Sequence, residues 1–367
     1  MSFLLSRVLL DPGQAPDLDS RRYGQLLRQA RSANLLAALA ERIRDEGLME
    51  QIPDRVRRHL ESVALVHTKQ KHDLAYHLKL VQRALAPTGQ KMILLKGAAY
   101  LQAGIAAGRG RLISDIDLIV PEADIGAAEQ ALNLQGWKSG KLDPYNERYY
   151  RQWMHEIPPL GHSKYGSTLD LHFTILPPTA AANIDARLLF EQIVEVQPGV
   201  YTLSRPDMVI HSATHLFHEG EFHNGLRDLW DLDRMLREFS AGDSGFWDHL
   251  LGRARALDLV GPLLYGLTYS QRIFDTPVPA GMIEEANSRA RKLRKPLMDF
   301  LFRRAFRPDQ PECRLPFTDS ALYLLYLRSH YLRMPLYLLI PHLARKAWMS
   351  KFEESDNAGI AAAKPAG

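Results

Sequence analysis

The sequence predicts an α+β fold, a small mixed α/β core framed by a helical region on either side. Three observations carry that expectation. Apolar residues recur at helical spacing through residues 20–86, three short runs (92–95, 115–120 and 168–176) carry strand signals, and helical spacing returns from Ser204 onward. The expected organisation is an N-terminal helical region over 1–89, an α/β domain over 90–203, a C-terminal helical domain over 204–350 and a disordered tail over 351–367, which is rich in Ala, Gly and Lys.

In the first region Leu26, Leu27, Ala30, Leu35, Leu36 and Leu39 mark one helical stretch. A second helix is expected after Pro53, carrying Val56, Leu60, Val63, Leu65 and Val66 as far as Leu85, where Pro87 stops it. Met92 to Leu95 form a short buried-strand signal. Lys96-Gly97 follows, then an Ala-rich helix from Ala98 to Ala107 and a loop at Gly108-Arg109-Gly110. The next strand is Asp115 to Val120, after which Pro121 opens a helix that Gly136 ends. In Thr168 to Leu176, Leu169, Leu171 and Phe173 alternate with Asp170, His172 and Thr174. That is a half-buried strand with one polar face, closed by Pro177-Pro178. Ser204-Arg-Pro-Asp207 caps the next helix, and further helices are expected at 223–240, 246–272, 280–305 and 318–347.

Composition narrows the class. With 367 residues and ordinary apolar and charged fractions, the chain can bury a sizeable core. The net charge of +4 is too small to name a partner. Cys313 is the single cysteine, which excludes an intrachain disulfide and cysteine-based zinc sites and suits a cytoplasmic location. The N-terminal apolar run lacks a basic leader and meets Asp11-Pro12-Gly13, so no signal peptide is expected. No run approaches the ~18 apolar residues of a membrane span.

The chemistry concentrates in Arg111-Leu-Ile-Ser-Asp-Ile-Asp-Leu-Ile-Val120. Side chains alternate along a strand, so Asp115 and Asp117 share one side at the head of a buried run. Two carboxylates facing one point repel unless a cation separates them, and an all-oxygen ligand set suits Mg²⁺. Asp170, on the polar face of a later strand, is a candidate third carboxylate. Lys96-Gly97 precedes a helix whose free backbone N–H groups could hold a phosphate. Arg111 could bridge to phosphate oxygens or pair with Asp115 or Asp117.

Taken in order, Leu-Leu-Lys96-Gly97, Arg111-x-x-Ser114-Asp115-Ile-Asp117-Leu-Ile-Val and Leu-Asp170-Leu-His172-Phe resemble the uncharacterised branch of the DNA polymerase beta-like nucleotidyltransferase superfamily. The resemblance covers roughly residues 90–240. It implies a small mixed-sheet nucleotidyltransferase core, flanked by the N-terminal helices and the C-terminal helical region. It also implies an Mg²⁺-dependent enzyme that moves a nucleoside monophosphate from an NTP to a hydroxyl acceptor, either a small molecule or a protein. Asp115 and Asp117 would hold two Mg²⁺ ions roughly 3.5–4 Å apart. Asp170 would complete the metal site or take the acceptor proton. Lys96, Gly97, Arg111 and Ser114 would serve the triphosphate. The superfamily's Gly-Ser pair appears here as Lys96-Gly97, so Lys96 is left to do what a serine hydroxyl does elsewhere. The alternative is a non-catalytic nucleotidyltransferase-like binding protein, either antitoxin-like or an accessory factor of a biosynthetic cluster.

Other signals point to bland roles. His211, His215 and His218 share a helix face, and His223 follows nearby, but His211-Ser-Ala-Thr-His215 lacks the glutamate of the zinc-protease motif. A polar seam against the α/β domain is expected. Arg227 and Asp231 are spaced for a local ion pair. Tyr331 to Trp348 is aromatic, apolar and basic, and Pro335 and Pro341 interrupt it, so a buried closing helix is expected over membrane-surface contact. No aromatic-and-basic patch marks nucleic acid as a partner.

Overall fold

The computed structural model describes residues 3–141, 143–218, 220–289 and 294–341. The predicted tail and the end of the last predicted helix lie outside these residues. Among them no helix is long and apolar enough to cross a membrane.

The N-terminal region is helical, as expected: α1 (Leu4–Leu10), α2 (Ser20–Ser32), α3 (Leu36–Asp45) and α4 (Asp54–Leu85). The first was not predicted; Leu4, Leu5, Val8 and Leu9 bury it. The bounds of α4 match the expectation because both ends are punctuated by proline. Pro53 forms its N-cap and Pro87 sits in the turn beyond Leu85.

The central sheet has seven strands: β1 (Met92–Leu94), β2 (Asp115–Ile119), β3 (Trp137–Ser139), β4 (Leu160–His162), β5 (Thr168–His172), β6 (Val194–Gln197) and β7 (Val200–Thr202). Their order is β3-β4-β5-β2-β1-β7-β6. Strand β2 runs parallel to β5 and β1 runs parallel to β7, while the other pairs are antiparallel. Strands β1, β2 and β5 lie at or near the positions read from sequence, because their apolar residues fill the core between helices. The last of them ends at His172, four residues before the predicted limit, and 173–176 bend away. The helix after β1, α5 (Lys96–Gln102), starts and ends earlier than expected. Beyond β2 come α6 (Ile125–Leu134), α7 (Pro144–Trp153) and, before β6, α8 (Arg187–Glu191).

The C-terminal region holds α9 (Arg205–His218), α10 (Gly225–Ala241), α11 (Phe246–Ala256), α12 (Val260–Phe274), α13 (Ala280–Arg289), α14 (Arg294–Ala305) and α15 (Thr318–Arg333). Ser204 caps α9 through its Oγ, which accepts from the Asp207 amide at 3.3 Å. The helix expected over 246–272 is two helices. Asp258 takes a left-handed turn (φ +55°) and the Leu259 amide reaches back to the Ala254 carbonyl at 2.8 Å, which closes α11. Helix α15 stops before Pro335 and helical backbone resumes at 336–341, with Leu339 buried and Leu336, Tyr337 and Ile340 exposed, and the rest of the closing helix expected here lies outside the described residues.

Helix α9 is buried on nearly all sides. His218 hydrogen-bonds the Thr214 carbonyl through Nδ1 at 3.0 Å, and burial pushes its pKa down to about 4. Burial also lowers His155 and His211 well below 6.5. A histidine kept neutral in the fold takes up a proton only when the chain unfolds. Stability should therefore fall as pH drops from about 6.5 through about 4, by up to ~1.4 kcal/mol per pH unit for one such group. Thermal melts across that window check this, and His218→Gln should make the slope shallower.

Candidate active site

The register of β2 on β5 builds the site. Asp115 pairs with Thr168, Asp117 with Asp170 and Ile119 with His172. Side chains of paired residues share a face, so Asp115, Asp117, Asp170 and His172 all project to one side of two neighbouring parallel strands. Glu156 joins them. It lies on the other flank of β5, in an isolated antiparallel bridge to His172, held by the bonds Ile157 N–H to Leu171 carbonyl and Phe173 N–H to His155 carbonyl, each 3.0 Å. The head of β2 is fixed from α4, where the Gln70 side chain bonds both the amide and the carbonyl of Ile113.

Asp117 is the centre of this group and only 3% exposed. Lys96 Nζ donates to its Oδ1 at 2.7 Å, and His172 Nε2 lies 3.1 Å from the same oxygen. Burial alone would raise the Asp117 carboxyl, but the Lys96 ammonium and the His172 ring hold it well below the usual carboxylate range. Burial alone would likewise lower Lys96, but Asp117 outweighs it and keeps the amine charged. Asp170 has no such partner. Burial, then Glu156, Asp117 and Asp115, push its pKa up to about 7. Its buried Oδ1 has no hydrogen-bond partner. Asp115 is half-buried and accepts from the exposed Ser114 hydroxyl at 2.9 Å.

Lys96 has a left-handed backbone, φ +46°. Glycine adopts this conformation without penalty, whereas a lysine is strained by about 1–2 kcal/mol. The conformation aims the side chain back across the end of β1 to Asp117. At Gly97, by contrast, an added Cβ would meet only Arg111, at 3.8 Å, so packing does not demand glycine there.

Arg111 is not among the strand carboxylates. Its Nε donates to Asp231 on α10 at 2.8 Å, a terminal nitrogen lies 3.7 Å from Asp228, and the other bonds the Leu112 carbonyl. Neither Asp115 nor Asp117 is its partner. The Arg227–Asp231 pair expected from spacing is also replaced, because Arg227 bonds its neighbour Asp228 at 2.7 Å. Helix α9 supplies His211, whose depressed pKa is set by burial and then by Lys96, His215 and His172, so this ring borders the site. Sequence reasoning missed Glu156 and His155. His155 lies beside His172, with ring centroids 5.2 Å apart and the planes tilted by 35°. The dipeptide sits in an irregular stretch with no periodic signal.

The mixed sheet thus brings carboxylates together on two adjacent parallel strands, with Lys96, at the start of the helix after β1, bonded to one of them. A family model described as uncharacterised nucleotidyltransferase matches residues 19–275, and the chain belongs to that family. The match runs from the N-cap of α2 to the C-cap of α12, well beyond the 90–240 stretch that carried the resemblance. No curated protein and no solved structure matches the chain.

Proposed function

We propose that the protein is an Mg²⁺-dependent nucleotidyltransferase that moves a nucleoside monophosphate from an NTP to a hydroxyl acceptor. The observation that carries this reading is the Asp117–Asp170 register, which sets three acids on one face beside a fourth. The residues fit a hard cation, because a buried carboxylate oxygen without a hydrogen-bond partner stands among like charges. Asp115, Asp117 and Asp170 would hold it. When bound, Mg²⁺ supplies charge for the triphosphate and acidifies an acceptor hydroxyl.

The chain's own groups have narrower tasks. Lys96 stays charged at physiological pH, so it acts as a fixed cation toward phosphate and not as a base. In the metal-free protein burial and like charges push Asp170 up to about 7, so it is the carboxylate that would take up a proton at neutral pH, and a bound Mg²⁺ would hold it ionised as a ligand. His172 fixes the Asp117 carboxylate by its 3.1 Å contact. Arg111 holds α10 against the site through Asp231 and reaches a phosphate only by giving up that bond.

The test is calorimetric titration of ATP, GTP, CTP and UTP, with and without Mg²⁺, on wild type, Asp115→Asn and the Asp115→Asn/Asp117→Asn double variant. Mg²⁺-dependent binding of one nucleotide, weakened in the folded single variant and lost in the double, is expected. Nucleotide binding indifferent to both would sink the carboxylate reading. The second reading, a non-catalytic binding protein, is favoured by two contacts: Lys96 already neutralises Asp117, and Arg111 is already paired. Absence of nucleotide binding by the wild-type protein would select it.

A further inference from the structure

The proposed transfer reaction gives His155 no part and uses His172 only for its contact with Asp117, yet these two rings and Glu156 converge. One oxygen of Glu156, Oε2, lies 3.3 Å from His172 Nδ1 and 4.0 Å from His155 Nε2. One ligand atom from each of the three residues falls within 4.8 Å of the others.

The decisive detail is which way the His172 ring is committed. Asp117 is an ionised acceptor, so the Nε2 atom 3.1 Å from it carries the hydrogen. In the neutral ring this leaves a lone pair on Nδ1. That atom is buried in a residue 1% exposed and makes no hydrogen bond, because its 3.3 Å approach to Glu156 lacks the alignment of one. A buried ring nitrogen 3.3 Å from a carboxylate oxygen, with no hydrogen bond between them, is left unsatisfied unless a proton or a metal ion lies there. His155 Nδ1 is likewise buried without a partner. An imidazole with a metal on one nitrogen and a carboxylate on the other is the usual outer-shell arrangement of histidine metal sites.

We propose that His155, Glu156 and His172 form a second metal site, separate from the strand carboxylates, that takes a first-row transition ion of the zinc class, with Asp117 bonded to the far nitrogen of His172. Two imidazoles and one carboxylate suit such an ion better than Mg²⁺, which prefers oxygen. Three protein ligands leave a position for water or a substrate oxygen. His155 and Glu156 are part-exposed, so the ion has a path in. The site needs no nucleotide, so it stands or falls apart from the proposed transfer reaction.

The experiment is calorimetric titration of tag-free, metal-stripped full-length protein with Zn²⁺ alone, followed by X-ray absorption of the Zn²⁺-loaded wild type. One equivalent should bind, with scattering from two imidazoles and no sulfur. His155→Asn and Glu156→Gln should each weaken binding by more than about 100-fold. Asp117→Asn, one bond removed from the ion, should weaken it by about 10–100-fold, and Asp115→Asn should leave it unchanged. Circular dichroism checks that each variant folds, and the wild-type absorption spectrum decides the matter if one does not. Absence of stoichiometric binding, a spectrum without imidazole, or binding that survives Glu156→Gln but fails in Asp115→Asn would each overturn the proposal.

Discussion

Replacing Asp170 with asparagine is expected to stabilise the metal-free protein by about 2 kcal/mol at pH 8 while lowering transfer activity by at least about 100-fold. The two effects have one origin. Asp170 shares its face with Asp117, Asp115 and Glu156, and its Oδ1 is buried without a hydrogen-bond partner. Burial and those like charges raise its pKa from 3.8 to about 7. A carboxyl raised in the folded state binds a proton there that the unfolded chain has already released. The fold therefore loses stability as pH rises from about 4 through about 7. The full displacement corresponds to at most ~4 kcal/mol. Partial solvent contact and the hydrogen-bonding needs of the new amide reduce the expected gain to about half. Denaturant melts should show Asp170→Asn gaining at pH 8 and indistinguishable from wild type near pH 4. Saturating Mg²⁺ should stabilise wild type more than the variant, which closes the gap. A variant less stable than wild type at pH 8 would mean that the four acids do not crowd one another.

The parts of this site that were legible in the sequence are those carried by periodic elements. Asp115, Asp117 and Asp170 were readable because each sits at a fixed parity within an apolar run, and parity decides the face. The bounds of α4 were readable because Pro53 and Pro87 act locally. Glu156 was not, because no alternation reaches it and only a bridge to His172 brings it in. The backbone conformation of Lys96 has no signal in the sequence. In Lys-Gly, glycine is the residue expected to turn, yet the left-handed φ falls on the lysine. Arg111 was misplaced for a different reason. Its nearest carboxylates in sequence are Asp115 and Asp117, but its partner is 120 positions away on α10. Strands β3, β4, β6 and β7 are three or four residues long, and β6 is largely exposed, too little for a period to register. At the break between α11 and α12 an aspartate takes the left-handed turn, and Gly261-Pro262, in the first turn of α12, are the local signal that a single helix over 246–272 overlooks.

The second large effect is structural and lies behind the site. Arg253→Met and Asp207→Asn are each expected to cost about 3–5 kcal/mol. Asp207 is fully buried in the first turn of α9, and Arg253 of α11 grips both its oxygens, at 2.8 and 2.9 Å. The same guanidinium bonds the Leu188 carbonyl of α8 at 2.8 Å, so one side chain ties α9 to two other helices. Removing either partner strands a charge where water cannot reach it, which costs far more than the net worth of the pair. The Asp207→Leu/Arg253→Met double variant should therefore recover most of the loss, leaving chiefly the orphaned Leu188 carbonyl at about 1–3 kcal/mol. Denaturant unfolding of the four proteins in a double-mutant cycle measures the coupling. Single variants costing under ~1 kcal/mol would show that water enters this junction. Asp207 stands one helical turn before His211, the ring that borders Lys96 and His172. If the pair sets where α9 begins, the folded fraction of Arg253→Met should also bind Mg²⁺ and nucleotide more weakly than wild type, whereas the double variant, with its packing restored, should bind them nearly as well.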